Sequence, residues 1–318
     1  MNTSFYAGID MGGTNIKGAI TTPLLETICT DFIPTVPDSG DKSFETITAR
    51  AVMLIERMME HAGLAPEGLK AVGMGMAGII DASNAVLLQF NALGWSCVQP
   101  SVPISNHFHV PVYLTNDGTA NLLGEAHLGA ARGIKDVLLI TLGTGVGGAV
   151  MVDGNILSGS KGLGGEIGHI VIDQGKSFQQ YCSATAITDY AQEQMQLDRG
   201  SLLWTASSHN PQSVTAKMIC DCAHRHDPLC LRVVERTALH LGYALISFIN
   251  VFNPGLILIG GGLSRAGDLL LGPAIRQTLS GIHHPRLACP IRLASLGPEA
   301  GALGACALAR LQIYPPSS

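Results

Sequence analysis

Three glycine-rich segments, each directly after an apolar run, constrain the fold of this chain more than any other feature. They are residues 10–15 (DMGGTN), 142–148 (LGTGVGG) and 259–262 (IGGG). Glycine lets the backbone fold tightly and lets a ligand approach the backbone N–H groups, which can bind phosphate. Alone, the first segment is equally typical of an ordinary hairpin turn. Three such segments at strand ends instead predict three walls of one nucleotide-binding cleft.

The composition indicates two compact lobes with substantial cores, since the chain has 318 residues. The net charge of −5 and the 14% content of charged residues leave no basic stripe for a nucleic-acid backbone. We therefore expect no nucleic-acid partner. The eight cysteines lie singly along the chain, which is typical of reduced thiols. The first strand follows almost at once, without a targeting segment, so a cytoplasmic protein is expected.

One stretch, residues 241–263, contains no charged residue and is long enough to cross a bilayer. Asparagine, proline and glycine residues interrupt it between 250 and 262. The pattern therefore predicts a helix ending near Phe252, a turn and a buried strand over residues 256–259. No membrane association is expected.

The remaining periodicities predict an α/β organisation. Residues 6–9 and 16–20 read as a hairpin, and apolar residues at helical spacing predict a helix over 44–61. Buried strands over 71–76 and 112–115 lead into Gly78 and into Asn116-Asp117, at the ends where open α/β sheets bind ligands. The predicted lobes are residues 1–117 and 118–297. A final helix at about 298–314 is expected to complete the first lobe.

Asp117 is the best candidate for catalysis, because a carboxylate at a strand end can accept a proton from a substrate hydroxyl. The alternative is that Asp117 only caps the next helix. Glu166 and His169 follow the glycine-rich residues 162–165 at a spacing of three, so one helical turn would aim both at one ligand. Taken singly, Glu166 is better explained as a surface residue and His169 as a hydrogen-bonded histidine.

Two further patterns are weaker. Residues 143–148 match the GxGxxG dinucleotide fingerprint, but residues 149–154 (AVMVDG) predict a return strand instead of a helix, which argues against a dehydrogenase. Cysteines and histidines between 220 and 230 look like a metal cluster. Because they fall in a helical stretch that spreads them around its axis, core packing is the preferred interpretation.

In this order, the motifs closely resemble the ROK family of sugar kinases, in the actin, hexokinase and Hsp70 ATPase superfamily. The resemblance spans nearly the whole chain. It is carried by residues 8–14, 73–78, 91–95, 115–117, 142–148, 164–169, 253–262 and 297–307. It implies the two-lobed actin-like ATPase (ribonuclease H-like) fold, an α/β fold whose mixed sheets are flanked by helices and whose cleft lies between the lobes.

The resemblance also implies an ATP-dependent hexokinase-type reaction, in which Asp117 takes the proton from the 6-hydroxyl of a hexose that attacks the γ-phosphate. Asp10 would hold Mg²⁺ through water. The ATP-binding residues would be Asp10, Gly12, Gly13, Thr14, Lys17, Gly143, Thr144, Gly145, Gly261 and Gly262. The sugar-binding residues would be Gly78, Asn91, Asn116, Asp117, Glu166, His169 and Gln179. Since the family often forms dimers, a homodimer is expected.

The chain departs from the family after His169. Family members usually carry a zinc knuckle, Cys-x-Cys-Gly-x-x-Gly-Cys, followed by a sugar-binding Glu. Residues 170–181 lack the cysteines of the knuckle, and Cys182 is a single thiol, so no structural zinc is predicted.

Gln179 stands where that Glu is expected. An amide donates as well as accepts hydrogen bonds, whereas a carboxylate only accepts. Gln179 therefore predicts a different preference, for an epimer of glucose or an amino or N-acetylamino hexose, or weaker selectivity. Alternatively, Gln179 merely lies in a shortened loop.

Two other functions compete with the kinase. ROK repressors share this body but carry a preceding helix-turn-helix domain, which is not expected here because the first strand begins so early. A sugar-binding protein without catalysis is the second alternative. The presence of Asp10, Thr14, Asn116 and Asp117 argues against it.

Overall fold

The computed structural model describes residues 4–81 and 85–314, and its backbone divides into two compact units. The first unit runs to Ile134 and adds Ile156–Gly165 and the chain from Ala294 onwards. The second unit comprises Lys135–Asn155 and Glu166–Leu293.

The first unit is built on a five-stranded mixed sheet with the order β3-β2-β1-β4-β8. The antiparallel hairpin β1–β2 matches the predicted one, and β4 and β8 run parallel to β1. Strands β5, β6 and β7 form a smaller antiparallel sheet. The elements are β1 (Phe5–Met11), β2 (Asn15–Thr21), β3 (Thr27–Pro34), α1 (Phe44–His61), β4 (Leu69–Met76), β5 (Ile79–Asp81), β6 (Val86–Phe90), β7 (Trp95–Val98), α2 (Ser101–Phe108), β8 (Val112–Asn116) and α3 (Asp117–His127).

Helix α1 shows how local sequence sets an element of this unit. The Ser43 side chain caps its first turn by accepting a hydrogen bond from the N–H of Thr46. Residues at helical spacing, among them Ile47, Leu54 and Met58, are fully or almost fully buried and pack in the core of the first unit. The observed bounds equal the predicted ones, because capping and periodicity agree.

The second unit also contains a five-stranded mixed sheet, with the order β11-β10-β9-β14-β15. Strand β10 returns antiparallel to β9, as predicted for residues 149–152. In the described residues, no helix has the length and apolar character needed to cross a membrane. The elements are β9 (Val137–Leu142), β10 (Val146–Val152), β11 (Asn155–Ile156), β12 (Val171–Asp173), β13 (Lys176–Ser177), α4 (Gln179–Cys182), α5 (Ala184–Leu197), α6 (Leu202–Ala206), α7 (Ala216–His224), α8 (Pro228–Phe252), β14 (Leu256–Gly260), α9 (Asp268–Gly281) and β15 (Ile291–Leu293).

The last helix, α10 (Ala300–Ile313), belongs to the first unit and packs against α3, β1 and β4. The fully buried carboxylate of Glu125 on α3 accepts hydrogen bonds from the N–H groups of Ser295 and Leu296, both at 2.8 Å, and so anchors the entry to α10. Because α3 is held in this way, the first unit extends beyond the boundary expected at residue 117.

Candidate active site

Three parallel strands of the first unit end side by side. Asp10 and Met11 of β1 pair with Gly75 and Met76 of β4, which pair in turn with Thr115 and Asn116 of β8. Two strand spacings separate β1 from β8, or about 10 Å. The sheet therefore brings Asp10 and the pair Asn116-Asp117 to one edge.

Three carbonyl groups of the first glycine turn, those of Gly12, Thr14 and Asn15, are occupied by protein donors. The fully buried Thr35 donates its hydroxyl to the carbonyl of Gly12 at 2.7 Å and its N–H to that of Thr14 at 2.8 Å. The N–H of Gly12 closes the turn on the carbonyl of Asn15 at 3.0 Å. Carbonyl dipoles engaged in this way do not oppose an anion, which favours phosphate binding at the turn. Thr35 was not predicted, since its contact depends on the pairing of β2 with β3.

Asp10 is a mostly buried carboxylate, with 14% of its side chain exposed, and the ammonium group of Lys17 lies 3.6 Å from it. The pKa of Asp10 is raised above its usual value, because the effect of burial is larger than the opposing effect of the Lys17 charge. Gly301 in the first turn of α10 packs on this carboxylate, because a Cβ atom there would lie 2.6 Å from Cγ of Asp10. The N-terminal end of a helix favours a negative charge.

The alternative interpretation of Asp117 as the helix cap is wrong. Asn116 caps α3, since its Oδ1 accepts a hydrogen bond from the N–H of Thr119 at 3.1 Å. Asp117 is the first residue of the helix, and its Oδ1 accepts from the N–H of Gly118 at 2.8 Å. The cap also fixes the Asn116 amide, whose Nδ2 group is left to act as a donor.

Gly78 and Asn91 are brought together by the small sheet. Gly78 has a φ of +118° and packs directly on the carbonyl of Gln89, where a Cβ atom would collide. The Gln89 amide then donates to Oδ1 of Asn91 at 2.8 Å. The next residue, Ala92, lies against Gly13 of the first turn. Asn91 is therefore adjacent to that turn.

The second glycine turn, in the second unit, has the same arrangement of carbonyl groups. That of Gly143 accepts from the N–H of Ala184 at 2.7 Å, and that of Thr144 from the hydroxyl of Thr185 at 3.0 Å. The carbonyl of Gly145 accepts from the N–H of Gly143 at 2.9 Å.

Gly261 and Gly262 lie at the beginning of this turn. Gly261 has a φ of +86° and packs on the backbone of Leu142, the residue that precedes the turn. Strand β14 pairs with β9 up to Gly260 and Thr141, which delivers the two glycines to this position. The third predicted wall therefore adjoins the second.

The helical turn that holds Glu166 and His169 contacts Val146, the residue that ends the second turn, and so does the side chain of Gln179. The N–H of His169 donates to the carbonyl of Glu166 at 3.2 Å in a single helical turn, as the spacing predicted. Gly168 within that turn packs on the carbonyl of Val146. Gln179 lies on the amide side of Val146, accepting its N–H at 3.2 Å with Oε1. Both Glu166 and His169 have exposed side chains.

The segment after His169 forms the hairpin β12–β13. Asp173 in this hairpin lies 3.5 Å from Nε2 of His240, whose ring stacks on Tyr181 with centroids 3.8 Å apart. Cys182 is buried, and its thiol donates to the carbonyl of Thr237 at 3.5 Å. Burial raises the pKa of this thiol, which disfavours the thiolate that zinc needs. The absence of zinc stays a prediction.

The cysteines and histidines between 220 and 230 do not form a site in the described residues, where no group of three or more His, Cys, Asp or Glu side chains is placed to hold a metal ion. Cys220, Cys222 and Cys230 are buried in the core of the second unit, as preferred from the sequence. The predicted helical stretch is broken, however, between α7 and α8. Asp227 ends the break by capping α8 through the N–H of Cys230.

The comparisons with known proteins point to one family. The ROK family profile matches residues 6–312. The glucokinase of Halalkalibacterium halodurans is 36% identical over 317 residues, which covers 96% of this chain and 94% of that protein. The DNA-binding transcriptional repressor Mlc of Escherichia coli is 31% identical over 226 residues, covering 66% of this chain and 54% of that protein.

A solved structure agrees with this result. The ROK family glucokinase from Streptomyces griseus, in complex with glucose and AMPPNP, superposes with a TM-score of 0.82 at 27% identity, covering 96% of this chain and 99% of that one. The predicted fold class is thus confirmed, as an α/β fold of the actin-like ATPase type with mixed sheets flanked by helices. With its motifs, fold and profile in agreement, the chain belongs to the ROK family.

Proposed function

We propose that this ATP-dependent sugar phosphotransferase transfers the γ-phosphate of ATP to the 6-hydroxyl of a hexose or hexose derivative, with Asp117 as the general base. The observation that carries the proposal is the edge of the first sheet. There Asp117 begins a helix that Asn116 caps, two strands from the buried Asp10. Glucokinases of the family with 30–36% identity support sugar phosphorylation.

Each residue has a definite task in this reaction. Asp117 accepts the proton of the attacking hydroxyl, and the Nδ2 group of Asn116 orients the oxygen. Glu166, His169, Asn91 and Gly78 bind or frame the sugar, and Gly261 and Gly262 border the adenosine. The N–H groups of the two glycine turns bind the phosphates, together with Thr14 and Lys17. Positioning and electrostatic stabilisation supply most of the catalysis in phosphoryl transfer.

The residues around Asp10 fit a magnesium ion that arrives with ATP. The carboxylate is mostly buried, and the ammonium group of Lys17 lies 3.6 Å from it. Carboxylate oxygens and water are the ligands that Mg²⁺ prefers. The ion would neutralise charge on the phosphates. Asp10 would hold it through water.

The position of phosphorylation tests the reaction directly. Incubation with ATP–Mg²⁺ and an accepted hexose is expected to give the sugar 6-phosphate, identified by ³¹P and ¹³C NMR of the product. The physical reason is that Asp117 must reach the proton of the hydroxyl that attacks. A product phosphorylated on any other hydroxyl would contradict the proposed orientation of the sugar.

Gln179 is proposed to alter sugar selectivity. Since its Oε1 accepts from Val146, the amide presents Nε2 as a donor on its other side. Gln179→Glu replaces this donor by an acceptor, so the ranking of hexoses by kcat/KM is expected to change. The measurement is kcat/KM over glucose, its epimers and the amino and N-acetylamino hexoses. An unchanged ranking would remove Gln179 from the sugar site.

A further inference from the structure

We propose that Gln179 is a positioning residue of the second phosphate-binding turn, which it braces through the N–H of Val146 together with Thr185. The role of that turn in binding nucleotide rests on the proposed function. The brace itself is a property of the second unit and of its backbone contacts. The bracing residues lie outside the glycine motif of the family.

The brace consists of one short segment, residues 179–185, that contacts the turn at three points. Oε1 of Gln179 accepts the N–H of Val146 at 3.2 Å. The N–H of Ala184 and the hydroxyl of Thr185 donate to the carbonyls of Gly143 and Thr144, at 2.7 and 3.0 Å. Gln179 also packs closely on the turn, since a Cβ atom on Gly145 would lie 2.7 Å from Oε1.

These contacts determine what the turn can offer to an anion. A flexible glycine turn can rotate its peptide groups, and a carbonyl oxygen facing a phosphate would repel it. Two carbonyl groups are held on the protein side by the segment, and that of Gly145 is held by Gly143. The turn is therefore preorganised to present N–H groups, and preorganisation of donors is what favours binding of a charged ligand.

Val146 lies between Gln179 and the helical turn that holds two of the candidate sugar residues. Val146 is 6% exposed, so its N–H requires an acceptor from the protein. Its carbonyl side is covered by Gly168, in the helical turn that holds Glu166 and His169. A displacement at Gln179 would consequently affect the phosphate turn first, through the amide of Val146.

The test compares substitutions that remove a bracing contact with matched controls. Gln179→Met keeps similar volume but removes the acceptor, and Thr185→Val removes only the hydroxyl. The controls are Gln180→Met and Thr188→Val. In the unsubstituted protein, the amide of Gln180 accepts the N–H of Ser177, and the hydroxyl of Thr188 donates to the carbonyl of Thr185. Binding of AMPPNP with Mg²⁺ is measured by titration calorimetry. Amide hydrogen exchange at Val146 is measured by NMR without nucleotide.

Gln179→Met and Thr185→Val are each expected to weaken AMPPNP binding about three- to tenfold, the effect of one lost hydrogen bond. Both controls are expected to bind like the parent. Exchange at Val146 should accelerate in Gln179→Met and stay slow in Gln179→Glu, because a carboxylate also accepts the N–H. This rescue distinguishes the hydrogen bond from a general loss of packing.

Parental AMPPNP affinity in both Gln179→Met and Thr185→Val would overturn the proposal, and so would unchanged exchange at Val146 in Gln179→Met. Equal losses in the control variants would also overturn it, because the effect would then not belong to the contacts with the turn. If the parent bound no AMPPNP, the nucleotide role of the turn and the proposed function would both fail. The exchange data would still decide whether Gln179 holds Val146.

Discussion

Asp117→Asn is expected to lower kcat by about 10²- to 10⁴-fold, the usual contribution of a general base. An amide of nearly equal size cannot accept the proton of the attacking hydroxyl. Affinity for the hexose should stay close to that of the parent, because Asn116 caps α3 and holds the backbone at this position independently of the Asp117 charge. Turnover is measured by ADP release, and sugar affinity by calorimetry in the absence of ATP.

A matched control for this variant is Asp189→Asn, which removes an exposed carboxylate from α5. It should leave both turnover and affinity unchanged. Turnover of Asp117→Asn equal to that of the parent would refute the assigned base. A loss of sugar affinity as large as the loss of turnover would assign Asp117 to binding instead of proton transfer.

Gly304→Ala is expected to lower the free energy of unfolding by at least about 2 kcal/mol, through overpacking between α3 and α10. A Cβ atom at Gly304 would collide with the carbonyl of Ala120 and lie 2.6 Å from the N–H nitrogen of Gly124. Both neighbours are backbone atoms of α3, which cannot move away as a flexible side chain could. Urea unfolding of the variant measures the change.

Gly272→Ala is the matched control in α9, where the nearest atom to the new methyl group would be Nη1 of Arg276 at 3.5 Å. Alanine favours a helix interior, but its Cβ atom would also meet the ring of the following Pro273, so the free energy of unfolding should change by less than about 1 kcal/mol. The two substitutions are chemically identical, and only Gly304→Ala is predicted to be strongly destabilising. Equal unfolding midpoints for the two variants would contradict the close packing of α10 on α3.

Local signals predicted much of the fold. Helix α1 was predicted with its observed bounds, since a cap and a regular apolar face agree there. The hairpins β1–β2 and β9–β10 followed from apolar runs on either side of glycine turns. The stretch that imitates a membrane span is indeed α8, a turn and β14, as the asparagine, proline and glycine residues indicated.

Elements with weak local signals were not predicted. Strand β3 is largely exposed, and β5 to β7 are short strands whose stability comes from pairing with each other. The extent of the first unit depends on contacts of α3 with α10, which are far apart in the sequence. Breaks were expected in the helical pattern over residues 214–252, but the one before α8 was not located, although Asp227-Pro228 is a typical helix start.

The residues of the candidate site also divide into those that local patterns predict and those that they do not. The glycine turns and the strand-end residues Asp10 and Asn116-Asp117 were predicted from motifs and strand ends. Thr35 and Thr185, which hold the carbonyl groups of the two turns, were not predicted. Each is far from its turn in the sequence, so no local pattern predicts the contact. The contact of Gln179 with Val146 is of the same kind, and only the folded backbone reveals it.

The most direct test of the central claim is ADP release from ATP–Mg²⁺ in the presence of hexoses, 2-amino and N-acetyl hexoses and ketohexoses, each added separately. At least one of these sugars is expected to stimulate ADP release well above the sugar-free rate, with a preference among them that reflects Gln179. Bound zinc is assayed on the same sample, and stoichiometric zinc would contradict the predicted absence of a structural zinc site. If the folded protein released ADP at the same rate with every sugar as without sugar, the kinase assignment would be contradicted.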